Sequence, residues 1–307
     1  MPSEDQTTQA TEPPQSEPQP APKMPDKDNP EPGLYDDVPR DLYDKIEAVN
    51  PSWLVLMDRS PKHFWDDQKC KDEPSISMRL GTCAHTAILE PDEFDKRYLI
   101  APKVDRRTKV GMAAWAKHQE EAGAYREVVI DKEAEKVKAM SKAVWSHPQA
   151  LALLAGEGRN EVTAIWLDKK SGELCKGRID RLTYYESKGT RWPAVVDVKT
   201  TADPQPGQYS FFARQAAGLH YPYKLTMYLD GLNAIAPMIQ RQIFVIAVEN
   251  VPPYDVVVYN AKPEDLDTWR KKYQGWLENV HKFRSKSGAW PGYSDEIQWL
   301  EIPPWSQ

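Results

Sequence analysis

Pro193-Ala194-Val195-Val196-Asp197-Val198-Lys199 is an apolar run that ends in a carboxylate and an amine two residues apart. On a β-strand, residues i and i+2 point to the same face, so Asp197 and Lys199 should lie side by side. A second run, Lys176-Gly177-Arg178-Ile179-Asp180, brings another carboxylate 17 residues before Asp197. We therefore expect the fold to be built around two adjacent strands that carry these charged groups.

Turn-forming residues set the register of these strands. The turn-forming residues 187–189 predict a hairpin that places Asp180 opposite Asp197. A preceding hairpin, with its turn in the polar segment 168–173, places Glu161 opposite Asp180. A slip of one residue would move a strand's side chains to the other face, so this alignment depends on the turns. The sequence thus predicts three carboxylates on one face of three adjacent strands.

Opposed carboxylates on a strand face repel each other at a separation of roughly 5 Å. Either the acids form an exposed acidic face, or a divalent cation neutralises them. The second interpretation suits metal-assisted phosphodiester hydrolysis, with Mg²⁺, or Mn²⁺ in its place, bound by Asp180, Asp197 and the backbone carbonyl of Val198. Lys199 would orient or deprotonate the attacking water, and Glu161 would complete the acidic row.

His85 lies on a predicted helix over residues 76–90, which ends before Pro91. The small side chains of segment 81–84 permit close approach of another backbone. A histidine on such a helix can be a packing or capping residue, but imidazole is also an acceptable metal ligand. The residues alone leave both roles open.

Several segments occur in an informative order: Leu80-Gly81-Thr82-Cys83-Ala84-His85, Glu161, Gly177-Arg178-Ile179-Asp180, Val196-Asp197-Val198-Lys199-Thr200-Thr201 and Tyr221-Pro222-Tyr223-Lys224-Leu225-Thr226-Met227-Tyr228-Leu229-Asp230-Gly231. Together they resemble the exodeoxyribonuclease VIII (RecE-type) exonucleases of phage and prophage, within the PD-(D/E)XK nuclease superfamily. Segments 290–294 and 302–305 are similar to the ending of that family. The resemblance extends over roughly residues 35–305.

This resemblance implies an α/β (α+β) fold with a PD-(D/E)XK nuclease-like core, in which helices flank a central mixed β-sheet. It implies that His85, Asp180 and Asp197 bind the metal, that Lys199 is the catalytic lysine, and that Glu161 lies at the edge of the metal site. The implied activity is digestion of linear double-stranded DNA from 5′ ends. The 3′ single strands would serve recombination through a partner single-strand annealing protein.

Two further groups are candidates for DNA contact. Arg106, Arg107 and Lys109 form the most basic patch of the chain, which is either a solvated loop or a phosphate-binding surface. By resemblance, Lys224 and Tyr228 lie on the helix that follows the catalytic strand. The family usually has a glutamine where this chain has Lys224, and a lysine keeps the phosphate contact but loses the hydrogen bonding of an amide.

Residues 1–40 differ in composition from the rest of the chain. They hold ten prolines and nine acidic residues against three basic ones. We expect a disordered acidic tail there, followed by a single nuclease domain over 41–307. The tail accounts for the whole net charge of −6, so the body is nearly neutral and should grip DNA poorly as a monomer. RecE-type enzymes and the similar lambda exonuclease form rings, and we predict a homo-oligomeric ring, a trimer or tetramer.

Other features exclude several classes of protein. The three cysteines are scattered without a Cys-x-x-Cys pair, which argues against structural zinc, disulfide scaffolding and an iron–sulfur cluster. No apolar run reaches the length of a membrane span, and the N-terminal segment lacks the pattern of a secretory signal. No Walker A loop is present for ATP-driven translocation. We expect a protein of the bacterial host cytoplasm without a membrane partner.

Periodicity and turn residues also predict the order of elements. Helices are expected over residues 51–57, 76–90, 111–122, 131–145, 208–232 and 263–285. Strands are expected over residues 161–167, 174–182, 194–199, 241–249 and 254–259. This order gives a helical N-terminal half followed by a mixed sheet with helices on it.

Three functions remain open at this point. The first is a metal-dependent exonuclease acting on double-stranded DNA ends. The second is an endonuclease of the same superfamily, which would cut covalently closed circles. The third is a catalytically silent DNA-binding or assembly module, against which the complete set of Glu161, Asp180, Asp197 and Lys199 argues.

Overall fold

The computed structural model describes residues 24–67, 75–101, 104–123, 127–237, 241–285 and 290–306. Its strands are β1 Gly33–Tyr35, β2 Tyr98–Ala101, β3 Glu127–Ile130, β4 Gly158–Leu167, β5 Leu174–Ser187, β6 Thr190–Thr201, β7 Gln242–Glu249 and β8 Val256–Asn260. Its helices are α1 Arg40–Lys45, α2 Pro51–Leu54, α3 Pro61–Asp67, α4 Ile76–Leu89, α5 Pro91–Arg97, α6 Lys109–Ala122, α7 Asp131–Ser146, α8 Pro148–Leu154, α9 Phe211–Gly218, α10 Tyr221–Ile235 and α11 Pro263–Arg284. Short 3₁₀ helices follow α2 and lie near the C-terminal end of this part.

A six-stranded mixed sheet forms the centre of the fold, with strand order β1-β4-β5-β6-β7-β8. Adjacent strands of this sheet are antiparallel except β6 and β7, which run parallel and are connected by α9 and α10. A parallel pair needs such a long crossover because the end of one strand and the start of the next lie at opposite edges of the sheet. β2 and β3 form a separate parallel pair. The predicted α/β (α+β) fold with a central mixed sheet is confirmed.

The hairpin between β5 and β6 has the predicted register. Its turn lies at Lys188 and Gly189, whose φ angles of 51° and 74° fit a two-residue type I′ turn. Arg181 pairs with Val196 as a consequence. This register continues toward Asp180 and Asp197 and sets the position of the acids.

Two hydrophobic layers cover the two faces of the sheet. In one layer, α4, α7 and α8 pack on β6, β7 and β8, with Ile88 and Val137 fully buried. In the other, α2, α3, α10 and α11 pack largely on β4 and β5, around Phe64, Trp166 and Tyr273. Each large apolar side chain buried in this way contributes about 1.5–3 kcal/mol to the stability of the fold. The layers hold the charged ends of the central strands in fixed positions.

The single long helix predicted over residues 208–232 is wrong, since the structure has two helices there. α9 ends at Gly218 and α10 begins at Tyr221. His220 between them is left-handed, with φ of 59°. Pro222 lies in the first turn of α10, where its missing N–H costs no helical hydrogen bond, whereas inside one long helix it would break one.

The prediction of a disordered tail over residues 1–40 is wrong for its last part. Residues 33–35 form β1, which pairs with β4 along the edge of the sheet. Tyr35 and Val38 are buried in a small core with α1. The average composition of 40 residues concealed the apolar side chains near its end. Residues 1–23 lie outside the described part of the chain.

The described cysteines, Cys83 and Cys175, are buried and unpaired, and Cys70 lies outside the described residues. Burial raises the pKa of the Cys83 thiol to about 12, so this sulfur is a packing atom. Within the described ranges, no helix has the length and apolarity needed to cross a membrane.

Candidate metal centre

The predicted acids converge where β4, β5 and β6 meet α4. His85 Nδ1 lies 3.4 Å from Asp180 Oδ2. One ligand atom from each of His85, Glu161 and Asp180 lies within 4.8 Å of the other two. Two carboxylates and an imidazole at such spacing form a donor set for a divalent cation. His85 thus lies in the group of close donor atoms, and its role as a metal ligand stays a prediction.

Asp180 is fixed by the backbone of the neighbouring strand. The Val198 N–H donates a hydrogen bond of 2.7 Å to Asp180 Oδ2. The side chain of Asp180 on β5 is therefore hydrogen-bonded to the backbone of β6. This hydrogen bond fixes the position of the Asp180 carboxylate relative to β6.

Glu161 interrupts the ladder between β4 and β5. Asn160 pairs with Arg181 and Val162 with Ile179, in the predicted register, but Glu161 between them has a left-handed backbone with φ of 49°. Such a conformation costs on the order of 1–3 kcal/mol for a residue other than glycine, and is typical of functional positions. The strain therefore marks Glu161 as a residue of the site.

The electrostatic environment of Glu161 is unfavourable for its ionised form. Burial and the nearby charge of Asp180 raise the pKa of the Glu161 carboxyl to about 8. The Arg178 guanidinium, with Nε 4.0 Å from Glu161 Oε2, opposes this shift only partly. A divalent cation beside Glu161 and Asp180 would offset the part of the repulsion that Arg178 leaves.

Asp197 and Lys199 form a close ion pair on β6, with Lys199 Nζ 2.5 Å from Asp197 Oδ2. Burial lowers the pKa of the Lys199 amine, but the charges of Asp197 and Asp180 outweigh it and raise the pKa above its ordinary value. Burial likewise raises the pKa of the Asp197 carboxyl, against the opposing charge of Lys199. The amine is thus held protonated. It is suited to orient water and stabilise negative charge rather than to accept a proton.

The Val198 carbonyl, predicted as a metal ligand, accepts a hydrogen bond of 3.3 Å from Lys199 Nζ. The tight donor group of the structure contains Glu161, which the resemblance placed only at the edge of the site. Asp197 lies beside Lys199, next to that group. The predicted roles of Asp197 and Val198 as ligands stay predictions.

α10 brings a second amine to the site. Lys199 Nζ lies 5.2 Å, and Lys224 Nζ 5.9 Å, from the centre of the Tyr221 ring. Burial and the positive charge of Lys199 lower the pKa of the Lys224 amine to about 8. Tyr228 is partly buried and lies against Gly177, where an added Cβ would come within 2.5 Å of Tyr228 Cε1. DNA contact by Lys224 and Tyr228 stays a prediction, and the ring of Tyr228 supports the sheet.

The basic patch lies beside α6, just before and at its first residue. Arg106, Arg107 and Lys109 are exposed at the start of α6, which packs against β2 and β3. The Arg106 guanidinium lies 4.3 Å from the ring centre of Trp115. Among the described contacts, none joins these bases to the acidic group. Their role in DNA binding stays a prediction.

Three site residues were missed by reasoning from the sequence: Arg178, Tyr221 and Gln215. Arg178 adjoins Glu161, and its position in the quoted segment before Asp180 was an available signal. Thr201 Oγ1 donates a hydrogen bond of 2.6 Å to Gln215 Oε1, which ties α9 to the end of β6. No pattern in the sequence marks Gln215, because the contact depends on how α9 returns to the strand.

Comparisons with known proteins agree with this geometry. The family described as "PDDEXK-like domain of unknown function (DUF3799)" matches residues 51–303. A crystal structure of a provisionally assigned exonuclease from Eubacterium rectale is similar, with a TM-score of 0.54 over 85% of this chain and 92% of that chain, at 10% identity. The structure of the protein SSO0001 matches with a TM-score of 0.28 over 66% of this chain and 85% of that chain, at 13% identity. No curated protein sequence matches. At such identities the first structure supports the fold, and the second carries no argument.

Proposed function

The chain belongs to the PDDEXK-like family (DUF3799), and on this premise we propose that it is a metal-dependent deoxyribonuclease. The observation that carries the proposal is the convergence of Glu161, Asp180 and His85 around one position, beside the Asp197–Lys199 pair. These groups come from four separate elements. A chance acidic patch does not explain a strained glutamate, an anchored aspartate and a buried amine within one site.

The residues present fit a hard divalent cation. Burial and the neighbouring Asp180 raise the pKa of Glu161 to about 8 although Arg178 partly offsets them, and Glu161, Asp180 and His85 offer two carboxylates and an imidazole within 4.8 Å of one another. Glu161, Asp180 and His85 would hold the ion, and Asp197 with the Val198 carbonyl could add oxygen ligands. We propose Mg²⁺ as the cofactor, with Mn²⁺ as a substitute, since carboxylate oxygens suit both. When bound, the ion supplies an activated water and a positive charge for the phosphate oxygens.

The chain's own residues then have distinct tasks. The protonated amine of Lys199 donates hydrogen bonds toward an attacking water or a phosphate oxygen, and Asp197 holds it in place. Asp180 keeps its position through the Val198 N–H. Lys224 adds a second positive charge along the face of Tyr221. These groups are preorganised, and in many enzymes preorganised charge at a developing anion contributes more to the rate than any other effect.

The finer form of the proposal rests on the RecE-type resemblance. We propose digestion of linear double-stranded DNA from 5′ to 3′, which leaves 3′ single-stranded ends for recombination by single-strand annealing. The partners would be DNA ends, further copies of this chain in a trimeric or tetrameric ring, and an annealing protein. The near-neutral charge of residues 41–307 supports the ring, because a single copy carries no net positive charge with which to hold a polyanion.

A cleavage assay separates the three functions. The full chain is incubated with linear and covalently closed circular duplexes, labelled at 5′ or 3′ ends, in Mg²⁺ or in EDTA. We expect loss of the 5′ label from linear DNA in Mg²⁺ alone. Cutting of circles would instead indicate an endonuclease. Binding of either DNA without cleavage would indicate a silent module.

Variants connect such activity to the site. Asp180→Asn and Lys199→Ala should each abolish cleavage, because ligands and lysine act as a unit. Lys199→Ala should bind DNA nearly as well as the wild type. Glu186→Gln is the matched control, since Glu186 is an exposed acid farther along β5, near its turn. Wild-type activity in Lys199→Ala would contradict the assignment.

A further inference from the structure

Two aromatic side chains are exposed just before and at the start of α9. Tyr209 is 79% exposed and Phe211 is 42% exposed. A single exposed apolar residue needs no explanation, but a pair of rings on one short segment beside a candidate site does. Their segment follows β6, the strand that carries Asp197 and Lys199.

A chain of ring contacts connects this segment to Lys199. The buried ring of Phe212 stacks on Tyr259, with centroids 5.0 Å apart and planes at 21°. The same ring lies 6.4 Å from the ring of Tyr221, which in turn lies 5.2 Å from Lys199 Nζ. Phe212 therefore anchors the segment close to the catalytic amine. Its neighbour Phe211 points to solvent from a rigid base.

Hydrogen bonds hold the same segment in shape. The Ser210 hydroxyl caps α9 by accepting a hydrogen bond of 3.2 Å from the Ala213 N–H. The Arg214 guanidinium donates to the Tyr209 carbonyl oxygen, which places an exposed positive charge beside the two rings. Gln215, one residue on, is tied to Thr201 at the end of β6. The segment is thus a fixed surface that combines two aromatic faces with a cation.

We propose that Tyr209 and Phe211 form a stacking platform for unpaired nucleobases of the DNA strand bound at the metal centre, with Arg214 contacting its phosphate. This inference rests on the proposed nuclease function and names the part of the substrate that the site recognises. Aromatic faces stack on any base, so the platform would favour single-stranded or frayed ends without sequence preference. A terminal strand that unpairs and lies across these rings would bring its phosphates toward Lys199.

The charges around the platform favour this occupant over a protein partner. Lys199 and Lys224 lie 5.2 and 5.9 Å from the centre of the Tyr221 ring, which is in ring contact with Phe212 of this segment, and Arg214 lies beside Tyr209. Cations close to exposed aromatic faces are the combination by which single strands are bound, through phosphates and stacked bases together.

The test measures binding of a short 5′-fluorescein oligothymidylate to the full chain by fluorescence anisotropy, with Ca²⁺ in place of Mg²⁺ to prevent cleavage. Tyr209→Ala/Phe211→Ala should weaken binding by at least roughly tenfold, because each stacked base contributes appreciable affinity. Tyr293→Ala is the matched control, since Tyr293 is 74% exposed and lies near the C-terminal end, against His63. On the same scale of stacking energies, it should change binding less than about twofold. Tyr209→Phe/Phe211→Tyr should restore the affinity.

The salt dependence of binding distinguishes stacking from charge. Removing the two rings should leave the slope of affinity against salt concentration unchanged, whereas Arg214→Gln should reduce that slope by about 0.7 if one phosphate contact is lost. Equal affinities of wild type and the ring-less variant would overturn the proposal, as would wild-type protein that does not bind the oligonucleotide. Ring-dependent binding by a protein that cleaves no DNA would support the platform and reject the nuclease.

Discussion

Glu161 carries three unfavourable features at once. Its backbone is left-handed, its carboxyl is largely removed from water, and its charge faces that of Asp180. Strained backbone and perturbed pKa values both cluster at functional sites. In Glu161 the raised pKa comes from burial and the charge of Asp180, and the backbone strain is an additional cost. The metal-free protein therefore stores free energy at this position, which a cation would release.

This property predicts a pH dependence of stability in EDTA. The pKa of Glu161 is near 4.5 in the unfolded chain and about 8 in the folded one, so between these values the folded state holds a proton that the unfolded state has lost. Stability of the metal-free protein should thus fall as pH rises from about 4.5 to 8. In Glu161→Gln, the free energy of unfolding should fall less steeply with pH. Urea unfolding at several pH values measures this dependence.

Glu186→Gln is the control for this experiment and should keep the wild-type slope. If Glu161→Gln also keeps it, Glu161 is not the group that titrates.

A second prediction concerns the cation itself. Mn²⁺ that binds the folded state alone should raise the melting temperature, by an amount that corresponds to about 2.7 kcal/mol at a hundredfold excess over Kd. Asp180→Ala should abolish the increase, and His85→Ala should reduce it if the imidazole is a ligand. The measurement is thermal unfolding by circular dichroism with and without Mn²⁺. A normal increase in His85→Ala would return His85 to a packing role.

Two glycines allow α10 to lie close to the sheet. A Cβ on Gly177 of β5 would come within 2.5 Å of Tyr228, and one on Gly231 of α10 would come within 2.5 Å of the Trp166 ring. Packed aromatic rings cannot move by that amount without disturbing the layer. Because α10 also carries Tyr221 and Lys224, this close approach sets their distance from Lys199.

Alanine substitutions test this packing. Gly177→Ala and Gly231→Ala should each destabilise the fold by about 1–3 kcal/mol, as overpacking does. Gly275→Ala is the matched control, because Gly275 lies inside α11 and a methyl group added there would meet no heavy atom of the described residues within 4 Å. It should stabilise the fold by about 0.5–1 kcal/mol. Urea unfolding measures all three. Stability near wild type in both Gly177→Ala and Gly231→Ala would show that α10 is free to shift.

The central hairpins could be predicted from the sequence because their registers depend on short turns. The turn at Lys188 and Gly189 is local information, and it sufficed to align Asp180 with its partner strand. The left-handed backbone of Glu161 could not be foreseen, since it reflects the balance between neighbouring strands. The break between α9 and α10 was only partly predictable. Pro222 indicates a helix start, but the apolar periodicity on both sides favoured one continuous helix.

The candidate site was predictable to a similar degree. Residues with strong chemical identity on predicted elements, such as His85 and Lys199, lie close to the acids in the structure, and their roles stay predictions. Arg178 was given no role although it stands in the segment before Asp180, and Gln215 could not be found because its contact with Thr201 depends on how α9 returns to β6.

The distribution of charge over the protein governs how it holds DNA. Residues 41–307 are nearly neutral, and the exposed bases Arg106 and Arg107 lie just before α6. One copy should therefore bind DNA weakly between successive cleavages. We propose that a ring of copies, in contact through the helical N-terminal half, would gather these bases around the duplex.

Loss of the bases before α6 should affect processivity more than the rate of a single cleavage. Arg106→Glu/Arg107→Glu should reduce the length of DNA degraded per binding event more than the rate of a single cleavage. Gel analysis of products in the presence of a heparin trap measures both, and light scattering gives the oligomeric state. Lys132→Glu/Lys138→Glu, which changes two exposed lysines of α7, is the control. A monomer that still degrades long duplexes without release would falsify the ring.

The three-residue strand β1 has a consequence for the lifetime of the protein in a cell. It pairs with residues 163–165 of β4 and so covers part of that edge of the sheet. Proteolysis just after Tyr35 would leave every residue of the candidate metal centre in place and yet uncover that edge. Open edges template association with other strands, so the clipped enzyme should aggregate before it loses its chemistry. Turnover of the protein would then begin at its first strand.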